Sequence, residues 1–268
     1  MGRERVLNPV VSWIGGVLAR FLSTPHHIHS ASVPTQCERL ERTLTPGDVL
    51  LVEGSSNIAT AIKYLTQSTW SHVAIYVGRQ QPGRLQDDAH AFVEADLVEG
   101  VRSVGFEAFE GFPTRICRPV GLSSVEVETL VTWTIARIGH RYDLRNVVDL
   151  ARYLLPTPPA PTQFRRRMIA LGSGDPTRAI CSTLVAQAFE SIGYPILPEV
   201  DSRPAPTEDC PLCLEEIHRI RHHSLYAPRD FDVSPYFAVV KPTIERGFDF
   251  HRLVWADRND AAVRGEVR

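Results

Sequence analysis

Cysteine is scarce in this chain: five among 268 residues, at Cys37, Cys117, Cys181, Cys210 and Cys213. The number is odd and the positions are scattered, so a disulfide framework is not expected, and a reducing, cytoplasmic setting is the simpler reading. Neither sign of charge is in excess. Lys and Arg total 29 against 31 Asp and Glu, for a formal net charge of −2. Such a chain has no global basic field to hold a phosphate backbone, which argues against nucleic acid as a partner. Glycine-rich phosphate loops and internal repeats are absent. Long apolar runs are missing too. The stretch from Val10 to Leu22 is interrupted by Ser12, Gly15, Gly16 and Arg20, and is too short to cross a bilayer as a helix.

What remains is an ordinary globular balance, 43 % hydrophobic and 22 % charged, with enough length for one sizeable core. We expect an N-terminal amphipathic helix and linker over residues 1–43, one enlarged domain over 44–245, and a tail over 246–268. In the first segment Val10, Val11, Ile14, Val17, Leu18, Phe21 and Leu22 follow helical spacing. This helix either docks on its own domain or a partner, or touches a membrane surface. Secretion is less favoured, because Pro9 and Arg20 interrupt the run and no small-x-small cleavage site follows closely. Residues 23–43, with His26, His27 and His29, read as linker.

Along the domain, TPGDVLLVEG reads as a turn and a strand, and SSNIATAIKYLTQ as a helix with Ile58, Ile62 and Leu65 on one face. In TWSHVAIYVG, Val73, Ile75 and Val77 alternate with Ala74 and Tyr76, a strand with His72 at its leading end. Gln80 to His90 is a polar surface insertion. HAFVEADLVEGVRSV reads as a second strand-like run carrying Glu94, and Thr114 to Val120 as another strand. Ser123 with Glu126 makes a capping box opening a helix to about Ile138, stopped by Gly139. RYDLRNVVDLARYLLP continues as helix, PTPPAPTQ must be loop, and Arg165, Arg166 and Arg167 are a solvated charge run.

Cys181 opens AICSTLVAQAFESIGYP, where Leu184, Val185, Ala188, Phe189 and Ile192 form one face of a helix closed by Gly193 and Pro195. A cysteine at a helix N-terminus meets unpaired N–H groups and the positive end of the helix dipole, which favour a thiolate, the attacking form. His72 is the candidate base. A carboxylate on a neighbouring strand, Glu94, could hold its ring in one tautomer. Each residue alone has a plainer reading: a small core cysteine, a structural histidine, a solvated carboxylate. The order GDVLL, SHVAIYVG, FVEAD, EGVRS, Cys-Ser before a helix, then PRDFDVSPYFAVVKP, resembles the circularly permuted papain-like group. That group includes YaeF/YiiX-type proteins and is related to NlpC/P60 hydrolases and lecithin–retinol acyltransferase-like enzymes. The resemblance spans about Leu44 to Pro242.

It implies an α+β, permuted papain-like fold, with an antiparallel sheet packed against helices. It also implies a cysteine-dependent hydrolase (amidase or peptidase) or acyltransferase acting on an amide or ester bond. Cys181 would be the nucleophile, His72 the base and Glu94 the orienting residue, with the Cys181 backbone N–H as an oxyanion donor. No cofactor or metal is expected. The substrate would be a peptide, an amino-acid amide or a lipid acyl group. The competing class is a non-catalytic lipid- or peptide-binding module on the same fold. Two further features stand out. Tyr142 and Asp143 follow Gly139, and the resemblance implies that a Tyr-Asp pair there helps shape the site. Cys210, Cys213, His218 and His223 have knuckle-like C-x2-C-x4-H-x4-H spacing, which would suit a zinc-supported interaction protein. LEEIHRIRHH, however, reads as helix and lacks the turn glycine of such knuckles, so we take the spacing as accidental.

Overall fold

The structure, a computed structural model, describes residues 36–140 and 180–252, apart from positions 80, 82, 83, 88, 97, 98, 206–209, 211, 212 and 246. The expected N-terminal helix, the Tyr142–Asp143 pair, the second helix, the proline-rich loop and the arginine run lie outside the described residues. Helix α1 (Cys37–Glu41) leads through a turn to β1 (Val49–Val52) and α2 (Asn57–Thr66). Strands β2 (His72–Tyr76), β3 (Phe92–Asp96) and β4 (Gly100–Val104) follow, then a 3-10 turn at Phe106–Phe109 and β5 (Thr114–Pro119). Next come α3 (Ser124–Ile135), α4 (Ile180–Glu190), β6 (Glu199–Pro204) and β7 (Leu214–Arg219). A 3-10 turn at His223–Leu225, helix α5 (Pro228–Val233), β8 (Phe237–Val240), the short α6 (Pro242–Glu245) and a 3-10 turn at Phe250–Arg252 complete the order among the described residues.

Six strands pair antiparallel in the order β4-β3-β2-β1-β5-β8, so the molecule is α+β with an antiparallel sheet, as expected. Both faces of that sheet are covered. On one, Val49, Leu51, Val73, Ile75, Val93, Ala95 and Cys117 pack with Leu130, Val131 and Ile135 of α3 and Leu184, Val185, Ala188 and Phe189 of α4. On the other, Leu50, Val52, Ala74, Tyr76, Phe92 and Ile116 pack with Leu40, Leu44, Phe106 and Phe109. Double coverage explains why β1 is an unbroken apolar run, VLLV, buried at every position, instead of alternating with polar residues. The outer edge of β4 is closed as well: the Val101 N–H donates to the His140 carbonyl and the Gly139 N–H to that of Val101. Gly139, at φ +88, makes the turn that brings the end of α3 back to this edge.

Four sequence expectations are corrected. The linker expected over 23–43 contains a helix, because Leu40 and Leu44 bury against the second face of the sheet. The single run around Glu94 is a hairpin of two strands, broken before Gly100, with Asp96 opposite Gly100. LEEIHR is strand β7 and not helix. Its apolar spacing imitates a helix, but the segment pairs with β6 in a separate two-stranded ribbon. Cross-strand ion pairs, Arg203–Glu215 and Arg219–Asp201, join its two strands at the surface. Finally, Cys210 and Cys213 form a disulfide at the end of the ribbon, although composition suggested none.

Candidate active site

The entrance to β2 is fixed from three sides. The Ser71 N–H donates to the Val52 carbonyl, and the Ser71 hydroxyl accepts from the Gly54 N–H at 2.9 Å. Trp70 is buried, and its Nε1–H donates to Asp232 Oδ2 on α5 at 3.0 Å. Arg115 bonds the other oxygen of Asp232 at 2.6 Å and lies over the Trp70 ring. His72 thus begins its strand from a rigid platform, opposite Val52 of β1.

Register does the rest. Ala74 pairs with Glu94, so His72 and Glu94 are diagonal neighbours on one face of the sheet. His72 Nε2 lies 2.7 Å from Glu94 Oε2. A carboxylate can only accept, so Nε2 carries the proton and donates it. Glu94 in turn pairs across the hairpin with Arg102. Arg102 Nε and Nη2 both donate to Glu94 Oε1, at 3.0 and 2.9 Å.

Cys181 lies in the first turn of α4, only 5 % exposed, and α4 packs against β2 and β3. It lies close enough to His72 to raise the proton affinity of the imidazole. With Nε2 committed to Glu94, Nδ1 is left for the thiol. Of the three residues singled out from sequence, His72 and Glu94 are bonded directly, and Cys181 lies near the His72 ring.

The electrostatics follow from burial and charge. Burial alone would hold the His72 imidazolium down. The Glu94 charge and the bonds to Cys181 and Glu94 more than offset it, and the ring stays protonated well above its usual range. For Glu94, burial pushes the carboxyl up, but His72 and then Arg102 outweigh it and bring it down to about 2.

Arg102 is the residue that the sequence reading missed. Reading the segment as one strand hid the hairpin. Splitting it at Gly100 sets Arg102 opposite Glu94, and that glycine was the available signal. The knuckle-like residues do not converge. Cys210 and Cys213 bond each other, His218 lies on β7 near Glu216 and Tyr236, and His223 pairs with Glu190 at 3.0 Å. Among the described residues no group of three or more His, Cys, Asp or Glu side chains is disposed to hold a metal ion, and no helix is long and apolar enough to cross a membrane.

No family model matches the chain, and no curated protein matches it. Among solved structures it is similar to the metalloprotein YiiX from Escherichia coli O157:H7. The identity is 16 % over 74 % of this chain and 96 % of that one, with a TM-score of 0.42. A superposition this loose defines neither a family nor an activity.

Proposed function

We propose that this protein is a cysteine-dependent hydrolase or acyltransferase of permuted papain-like type, acting on an amide or ester bond. One observation carries the reading: His72 bonded to the buried Glu94 carboxylate, with the Cys181 thiol, in the first turn of a helix, close enough to raise the proton affinity of the imidazole. His72, which stays protonated well above its usual range, already holds the thiol's proton on Nδ1, and Cys181 Sγ attacks the substrate carbonyl as the thiolate. Helix α4 leaves its first N–H groups without intrahelical partners, and that of Cys181 is the candidate donor to the developing oxyanion. The tetrahedral intermediate collapses to a thioester as His72 returns the proton to the departing amine or alcohol. Water, or an acceptor hydroxyl or amine, then attacks the thioester. His72 removes the proton of that nucleophile and keeps it as Sγ departs as the thiolate, which restores the starting pair. Throughout, Glu94 holds the ring and offsets its charge.

A peptide, an amino-acid amide or a lipid acyl group is the proposed substrate class; the Cys210–Cys213 disulfide removes the ground on which a reducing, cytoplasmic setting was expected. The test is a panel of thiol-reactive probes with peptide or acyl head groups, followed by mass spectrometry of the modified residue. We expect Cys181 to be acylated, C181A to be silent, and H72A to react roughly a hundredfold slower or worse. Probe adducts confined to other cysteines, with C181A labelled like the wild type, would overturn the reading in favour of a non-catalytic binding module.

A further inference from the structure

A single carboxylate with 5 % of its side-chain surface exposed needs a charge partner at every moment it is ionised. His72 serves only while it is protonated, and in the proposed chemistry it gives that proton away and takes it back. Arg102 carries a charge that does not titrate in the accessible range. Its placement is specific. Both of its N–H groups that reach Glu94 fall on Oε1, which leaves Oε2 to His72 alone. The guanidinium is itself pinned within the β3–β4 hairpin, with Nη1 on Glu99 Oε2 at 3.1 Å and Nη2 near Asp96 Oδ2 at 3.7 Å. The fork thus resists rotation of the carboxylate as well as neutralising it.

We propose that Arg102 is a positioning residue, which holds Glu94 with Oε2 aimed at His72 Nε2 whether the imidazole is charged or neutral. The proposal rests on the reading of Cys181, His72 and Glu94 as a thiol site. It adds a fourth residue that touches no reacting atom. Without Arg102, burial acts on Glu94 with only an intermittent cation to oppose it, so the carboxyl takes up a proton in mildly acidic solution and loses its hold on the ring.

The experiment compares wild type, R102Q and R102K. It measures the iodoacetamide alkylation rate at Cys181 between pH 4 and 8, the NMR titration of His72, and the thermal midpoint. R102Q is expected to react roughly ten- to a hundredfold slower at neutral pH. Its deficit should widen as the pH falls from about 6 towards 4, as Glu94 protonates, and its His72 titration should move down. R102K, which keeps the charge but loses the fork, should fall between the two. A purely structural role would lower the thermal midpoint while leaving the pH profile and the His72 titration as in wild type, and that result overturns the proposal. If R102Q does not fold, R102K decides: a wild-type rate and an unshifted His72 overturn it. A reactive wild-type Cys181 with R102Q unchanged fails this proposal alone. An inert wild-type Cys181 fails the thiol reading, and the His72 titration of R102Q still reports whether Arg102 holds the Glu94–His72 contact.

Discussion

The free thiols of this chain differ through their surroundings rather than their chemistry. Cys117 is fully buried under the sheet, and burial, with Asp232 adding to it, pushes its thiol up to about 12. Cys37 is raised as well, by burial first and then by Glu110, and its Sγ donates to the Phe106 carbonyl at 3.4 Å. Cys210 and Cys213 are joined to each other. Cys181 is the free thiol among the described residues with an imidazole beside it. Substoichiometric iodoacetamide at neutral pH should therefore modify Cys181 first, with Cys37 next and Cys117 last, as read by peptide mass spectrometry. A small reagent is needed because Cys181 is itself nearly buried. Labelling led by Cys37 would mean that the His72 contact does not activate the thiol.

Each element that carries the site is held by a different kind of interaction. Strand β2 is set by ladder bonds to β1 and β3, and α4 by an apolar face that includes Phe189, Leu184 and Val185. Helix α3, which shares the layer of α4, begins at a reciprocal cap. The Ser123 hydroxyl accepts from the Glu126 N–H at 3.3 Å, and the Glu126 carboxylate accepts from the Ser123 N–H at 2.8 Å. This end is exposed and far from Cys181 in function. S123A should lower unfolding stability by about 1 kcal/mol, read from a urea midpoint at unchanged slope, with no effect on alkylation of Cys181. A parallel loss of alkylation would show that the start of α3 is coupled to Cys181 through the core the two helices share.

For the whole molecule, the Glu94–His72 pair ties folding to pH. Glu94 titrates at about 2 when folded, below its unfolded range of roughly 4.3. The unfolded chain therefore binds that proton more readily, and the stability Glu94 contributes is complete above roughly pH 4.3 and is lost as the pH falls through about 2. His72 is shifted the other way. Its contribution is complete below roughly pH 6.5 and is lost as the pH rises through its elevated folded value. The stability advantage of wild type over E94Q should be widest between about pH 4.5 and 6.5, shrinking on either side. Urea titrations of both proteins across pH 2–9 test this. A constant difference over that range would mean that Glu94 and His72 are not a charged pair in the folded protein.

Local pattern alone carried a good part of this. Alternation in HVAIY, the capping pair Ser123 and Glu126, and the apolar stripe after Cys181 each depend on neighbours within a few residues, and each element formed where its pattern lay. Cys181, His72 and Glu94 were candidates by type, and it was the resemblance carried by the ordered motifs around them that joined them into one candidate site. What the linear chain could not supply were the pairings between distant segments. Leu40 looked like linker until the second face of the sheet was there to bury it. LEEIHR had a helix-like spacing, but its backbone is taken up by ladder pairing with the distant β6. Arg102 stayed invisible because its importance lies in register: one residue of slip would turn it to the other face of the hairpin, away from Glu94. Local propensity is encoded every few residues, but register, burial and the meeting of α4 with the margin of β2 exist only once the chain has folded back on itself.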